Sequence, residues 1–158
     1  MRVKRYVRIA DEHHVVRRCA YQVIERDSVT RAVIGLFPAA FRLRQEQNES
    51  YLSANWLEQC DGTKLQRLKI IVAIQRQKAK GNLSPQSGVA ILNAGRIREI
   101  GVAQRRALAV RHTPNRDDPS YARVSGLPLD NSDDLLLANL AAEAYRDFRL
   151  LSDVDAER

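Results

Sequence analysis

His112 is followed by Asn115, Asp117, Asp118, Ser120 and Tyr121, which sets a titratable ring beside a concentration of polar groups. Imidazole exchanges protons near neutral pH, so a histidine at the end of a strand and next to such a loop could serve as a general base. Ser53, Asn55 and one of Arg17 or Arg18 would add a hydroxyl, an amide and a cation to the same cleft, the set a small histidine-based enzyme acting on a nucleotide or nucleic acid would need. The same Asn, Asp, Ser and Pro types are also those that turns select for hydrogen bonding to their own backbone. Turn chemistry therefore accounts for the loop without any cleft.

A second chemistry is electrostatic. From Gly62 to Arg98 there is no Asp or Glu, while Lys64, Arg67, Lys69, Arg76, Lys78, Lys80, Arg96 and Arg98 are present. Solvated faces ordinarily mix signs, so a run of one sign is expected to meet an anion, either nucleic acid or an acidic protein. On nucleic acid these side chains would contact phosphates, which fixes position without reading sequence. No aromatic residue falls between Trp56 and Tyr121, which argues against base stacking by this segment.

Other chemistries find no pattern. Zinc-finger spacing, a recognition-helix signature and an RNA-binding aromatic motif are missing, as are a Walker loop, GxGxxG, GxSxG and HExxH. His13, His14, Cys19, Cys60 and His112 are the soft-metal ligands, and their spacing matches no standard zinc site. Neither a metal nor a cofactor is expected. Cys19 and Cys60 are expected to be reduced core residues.

Two segments carry a resemblance: Ala40-Phe41-Arg42 through Glu49 to Glu58, and His112-Thr113-Pro114-Asn115 through Asp118 to Ala122. They resemble a set of small uncharacterised bacterial proteins, which implies a bacterial or mobile-element origin and no particular activity. Arg17 or Arg18 with Leu52-Ser53 also resembles the ADP-ribosyltransferases, in which an early Arg or His and a hydrophobic-Ser strand help hold the dinucleotide. That resemblance implies a catalytic glutamate, and Glu99, the one acid between 62 and 116, stands in no recognised motif.

The elements that must position these residues follow from periodicity and punctuation. Val3, Val7 and Ile9 alternate with polar neighbours as an opening strand, and β-rich runs follow at His14 to Ile24 and Val29 to Phe37. Arg42 to Ser50 reads as a loop, leading to Tyr51-Leu52 and a short helical piece capped by Ser53 across Asn55, Trp56 and Leu57. Thr63 with Gln66 forms a capping box, and Lys78, Lys80 and Gly81 supply a stop, which predicts a helix over 63–79. Its apolar residues lie nearly all round the axis, so Ile70 to Ile74 fits a central strand as well. Gly88 to Leu92 and Ala107 to Val110 read as strands, and 114–128 as a loop. A last helix, capped by Asn131 or Ser132, carries an apolar stripe from Leu136 to Leu151.

A length of 158 residues with 44% hydrophobic and 28% charged side chains describes an ordered globular chain. The expectation is one α+β domain over 1–151, a mixed or antiparallel sheet packed by two or three helices, with 152–158 a short polar tail. The first thirty residues contain no signal-like apolar run, and Ile70 to Ile74 falls far short of the ~20 residues that span a bilayer. A cytoplasmic protein without a membrane partner is expected. Residues 128–158 hold three basic and eight acidic groups, so 1–127 hold 23 and 11 of the 26 and 19 in the chain. An acidic end thus balances a basic body within a net charge of +7.

The expected function is a non-enzymatic accessory or regulatory module of a bacterial multi-component system, connected with defence or mobile elements, that binds nucleic acid or an acidic protein through a basic surface. The alternatives are the small enzyme described above and a purely protein-binding subunit that uses Trp56 or the last helix. The oligomeric state is not readable from these residues.

Overall fold

Alternating apolar and polar residues in seven short segments pair into one antiparallel sheet. The computed structural model describes residues 6–130 and 133–158. In chain order its elements are β1 (Val7–Arg8), β2 (His14–Cys19), β3 (Ile24–Arg26), β4 (Val33–Leu36), β5 (Tyr51–Trp56), α1 (Lys64–Lys78), β6 (Gly88–Asn93), α2 (Ala94–Ala103), β7 (Ala109–His112), β8 (Tyr121–Ser125), α3 (Asp134–Tyr145), β9 (Phe148–Leu150) and α4 (Leu151–Ala156). The main sheet runs β1-β7-β8-β5-β2-β6-β9, and β3 and β4 form a separate hairpin. Every neighbouring pair is antiparallel. The expected α+β class and single domain are what the chain adopts, with four helices among the described residues where two or three were expected.

Alternation along the strands sorts the core into two layers. Val15 and Cys19 of β2, Leu52 and Ala54 of β5, Ala90 and Leu92 of β6, and Ala122 and Val124 of β8 face a layer that includes Ile97 of α2 and Leu136, Leu137 and Leu140 of α3. Val16 of β2 and Val89 and Ile91 of β6 face the other way, toward Leu68, Ile71 and Val72 of α1 and Leu151 and Val154 of α4. β6 is covered on both faces, which is why its sequence reads as an unbroken apolar run. Cys19 and Cys60 are buried in different layers and are free thiols, as expected.

The capping box is present: Gln66 N donates to Thr63 Oγ1 at 3.2 Å, and Thr63 N donates to Gln66 Oε1 at 2.8 Å. It starts α1, which carries Ile70 to Ile74 as helix. Leu68, Ile71, Val72 and Gln75 are its buried stripe, at the i, i+3, i+4, i+7 spacing of one helical face, while Ile70 stays 43% exposed.

Several local expectations are corrected by tertiary pairing. The helical piece at Ser53 to Leu57 is strand through Trp56, because β5 is hydrogen-bonded on both sides, to β2 and β8; only Leu57–Gln59 coils, as a 3-10 turn. The loop expected over 114–128 contains β8, a central strand. The stretch after β6 is α2, which Asn93 caps by accepting from Arg96 N at 2.9 Å. The last helix stops at Tyr145, and Phe148–Leu150 becomes an edge strand on β6. Gly88 permits that pairing, since a side-chain carbon there would sit 2.7 Å from the Arg149 carbonyl oxygen. Asp133 caps α3 by accepting from Leu136 N at 3.0 Å, whereas Val3, Asn131 and Ser132 lie outside the described residues.

The polar tail expected over 152–158 is largely helix α4, whose Leu151 and Val154 are fully buried. Two variants measure its contribution. Leu151→Ala should lower the unfolding free energy by about 3 kcal/mol in urea denaturation, and an unchanged midpoint would mean the segment does not pack. Arg76 grips Asp155 through both nitrogens, at 2.8 and 2.6 Å, which holds the Asp155 carboxyl below its ordinary value of 3.8. A carboxylate with a lowered folded pKa stabilises above that ordinary value and loses the contribution as pH falls through the lowered one. Asp155→Asn should therefore cost about 0.5 kcal/mol at pH 7, the scale of a solvent-screened pair. The gap from wild type should close as pH drops below 3.8.

Candidate nucleic-acid interface

Every second residue of β5 and β8 on the α1 side of the sheet is polar or aromatic. Tyr51, Ser53 and Asn55 pair directly with Ser125, Arg123 and Tyr121, and Arg123 pairs onward with Arg111 of β7. Cross-strand partners point to the same face. No apolar layer can form over these groups, so the apolar stripe of α1 packs over β2 and β6, and only its C-terminal turn reaches β5 and β8 through polar contacts. Between the C-terminal turn of α1 and this polar half lies a cleft of about 560 Å³.

Five cations line the cleft, Arg17, Arg18, Arg44, Lys78 and Arg123, against one carboxylate, Glu49. Arg44 donates to both Glu49 oxygens at 2.9 and 3.2 Å, which keeps the Glu49 carboxyl below its usual range. Burial depresses the Arg17 pKa, and its guanidinium donates to the carbonyl oxygens of Ala40 at 3.3 Å and Ser53 at 3.0 Å. Arg17 thus clamps the Pro38–Phe41 turn to β5. Arg123 lies 4.0 Å from the Tyr51 ring centre and 5.2 Å from that of Tyr6, a cation held between two aromatic faces.

The floor is a buried polar network. Asp118, fully buried, accepts from Lys78 Nζ at 2.5 Å, Asn55 Nδ2 at 2.9 Å and Ser120 Oγ at 2.8 Å. Gln75 Nε2 donates to Asn55 Oδ1 at 3.2 Å. Lys78 also sits 4.6 Å above the Tyr121 ring, whose hydroxyl is 2.7 Å from Ser53 Oγ. A hydrogen bond with Tyr121 raises the Tyr51 pKa.

The structure divides the residues expected to form a basic surface between two sides of the sheet. Lys64 pairs with Asp147 at 2.6 Å, Arg76 with Asp155, and Lys69 with the Glu157 carbonyl. Asp147 and Asp155 of the acidic C-terminal segment therefore pair in space with Lys64 and Arg76, two cations of the run that is uncompensated in sequence. Arg96 pairs with Glu99 at 2.5 Å and Glu143 at 3.6 Å, and Arg98 with Asp11 at 2.5 Å, on the opposite side of the sheet. Arg67 is half-buried, and Lys80 is exposed with no ion pair among the described residues. Of the eight, Lys78 alone lines the cleft.

The suggested catalytic set is divided as well. Arg17, Ser53, Asn55 and Asn115 line the cleft together with Arg18. His112 pairs with Ala122 and so faces the other layer, where its Nε2 donates to the Pro119 carbonyl at 2.7 Å and its ring lies edge-on to Trp56 at 4.9 Å. Trp56 Nε1 donates to His13 Nδ1 at 3.1 Å, so the tryptophan is a half-buried joint between two histidines. Glu99 sits on α2, across the sheet from Ser53. Among the described residues there is no cluster of three metal-ligating side chains.

Sequence reasoning named Tyr121 among the polar groups after His112 but missed Tyr6, Tyr51, Arg123 and Arg44. The alternation Tyr-x-Arg-x-Ser at 121–125, matching Tyr-x-Ser-x-Asn at 51–55, is the signal that reveals the polar sheet face. The buried carboxylate yields a direct prediction: Asp118→Ala strands Lys78, Asn55 and Ser120 and should lower stability by about 3 kcal/mol in urea unfolding. Comparison of the chain with protein-family models, curated proteins and solved structures finds no match.

Proposed function

We propose that this protein is a non-catalytic nucleic-acid-binding module and that the cleft between α1 and the uncovered half of the sheet is its binding surface. The observation that carries this reading is the arrangement of Arg17, Arg18, Arg44, Lys78 and Arg123 around one cavity with two tyrosines and two carboxylates, Glu49 in its lining and Asp118 beneath its floor. A surplus of positive charge in a concave, partly desolvated site attracts phosphates more strongly than the same charge spread over a surface. Guanidinium forks match phosphate oxygens, and tyrosine rings accept bases. Its role is that of an accessory or regulatory component of a bacterial multi-component system in the cytoplasm, supplying contact with nucleic acid while partners supply chemistry. No helix among the described residues is long and apolar enough to cross a membrane.

The test is a salt-dependent titration with fluorescent oligonucleotides. Affinity should fall steeply with salt. Arg18→Glu with Arg123→Glu should weaken binding at least tenfold at low salt, whereas Lys80→Glu, outside the cleft, should change it by less than a factor of about three. Equal loss from all three substitutions would mean diffuse charge rather than a site. Tighter binding to an acidic polypeptide than to any oligonucleotide would make the partner an acidic protein.

A further inference from the structure

The arginines of the uncovered face form a line across the strands. Ser53 pairs with Arg123, and Arg123 with Arg111. Arg18, two residues beyond the last β2–β5 pair at Val16–Asn55, lines the same cleft as Ser53 and Arg123. Ser53, Arg123 and Arg111 thus stand side by side on β5, β8 and β7, and Arg18 extends this path on the β2 side of the cleft. The path does not end at the cleft. Beyond Arg123 lies a second groove of about 180 Å³, lined by Tyr6, Tyr51, Arg111, Thr113, Arg123 and Ser125. Tyr51 and Arg123 belong to both cavities and form the wall between them.

Each cavity offers the same three components. Exposed cations come from Arg18 in the cleft and from Arg111 in the groove. An aromatic ring stands in each, Tyr121 in the first and Tyr6 in the second, with Tyr51 between them. A buried polar atom without a hydrogen-bond partner completes each: Gln75 Oε1 in the cleft, on a residue 8% exposed, and Thr113 Oγ1 in the groove, on a residue 4% exposed. Buried polar groups are seldom left unpaired, and an amide oxygen and a hydroxyl are the groups that base edges can satisfy. Arg123 Nε, in the shared wall, is a third such atom.

We infer that the ligand is single-stranded nucleic acid, laid across the strands along Arg18, Arg123 and Arg111, with successive nucleotides in the two cavities on either side of the Tyr51–Arg123–Tyr6 stack. This rests on the nucleic-acid reading above and narrows it. A duplex presents its phosphates on the outside of a stiff cylinder and is read by a helix or ribbon that enters a groove. Here the cations and rings are recessed on a sheet face beside α1, where only an unpaired strand can place both phosphates and base faces. Stacking of unpaired bases on rings along a basic track is the general solution for such strands.

Fluorescence-polarisation titrations of the full chain with RNA and DNA of one to eight nucleotides, and with duplexes of the same sequence, decide the matter. Single strands should bind at least tenfold tighter than duplex, and affinity should climb steeply between one and three nucleotides. Tyr51→Ala should lose about tenfold for single strands, and Tyr51→Phe should restore binding, which separates stacking from folding. Arg111→Glu should weaken trinucleotide binding more than mononucleotide binding. The RNA and DNA arms identify which backbone the path prefers, and either preference is consistent with it. Duplex binding as tight as single-strand binding, with Tyr51→Ala neutral, would overturn the single-strand path and leave the nucleic-acid reading standing. Absence of binding to every oligonucleotide at low salt would overturn both.

Discussion

A carboxylate taken wholly out of water has to be surrounded by donors, and Asp118 draws them from three separate parts of the chain. Lys78 reaches it from the last turn of α1, Asn55 from the centre of β5, and Ser120 from the loop that carries it into β8. Such a charge is costly to bury and still more costly to leave unpaired, so these three elements have one mutual arrangement. The apolar stripe of α1 drives packing without direction; the Asp118 network supplies the direction. It holds the C-terminal end of α1 over β5 and β8, sets Lys78 over the Tyr121 ring, and places Gln75 at the inner end of the cleft. The cleft is the space left beside a helix that cannot slide.

The distribution of charge follows from the same packing. The acidic segment after β8 folds back so that Asp147, Asp155 and Glu157 lie along α1. Lys64 and Arg76 on the outer side of that helix are thereby paired at short range, and at physiological salt little of the field of such a pair extends beyond about 8 Å. The excess positive charge is left on the sheet face that α1 does not cover, where arginines outnumber carboxylates and lean on tyrosines. Arginine suits this position better than lysine because its planar guanidinium can stack on a ring and still present N–H groups outward.

The sequence was most legible where a local signal and a buried face coincide. Thr63 and Gln66 name the start of α1, and the unbroken run from Gly88 names a strand covered on both sides. Legibility failed where distant pairing overrode local preference. Ser53 resembles a helix cap, yet β5 has strands on either side, and a central strand satisfies its backbone through neighbours that lie far away in sequence. Tyr121 to Ser125 sits between prolines and turn residues, and only its pairing with β5 and β7 makes it a strand. Phe148 to Leu150 continues an apolar stripe that suits a helix, but β6 had an open edge and a glycine that admits the Phe148 ring. Of the candidate site, Arg17 or Arg18, Ser53, Asn55, Asn115, Tyr121 and Lys78 were identified from residue type alone, while Tyr6, Tyr51 and Arg123 were not, because only strand pairing brings them together.

By itself the sequence determined the class of molecule: an α+β chain with enough apolar residues for a core, free thiols, and a strong positive balance suited to an anionic partner. These properties depend on composition and on periodicities of two and of about 3.6 residues, which are local and survive without knowledge of the fold. Only the tertiary structure decided where the positive charge is available and which aromatic rings stand beside it. Charge compensation is a matter of distance in space, so residues as separate as Arg76 and Asp155 cancel, while Arg111 and Arg123 pair on adjacent strands and Arg18 joins Arg123 on one cleft.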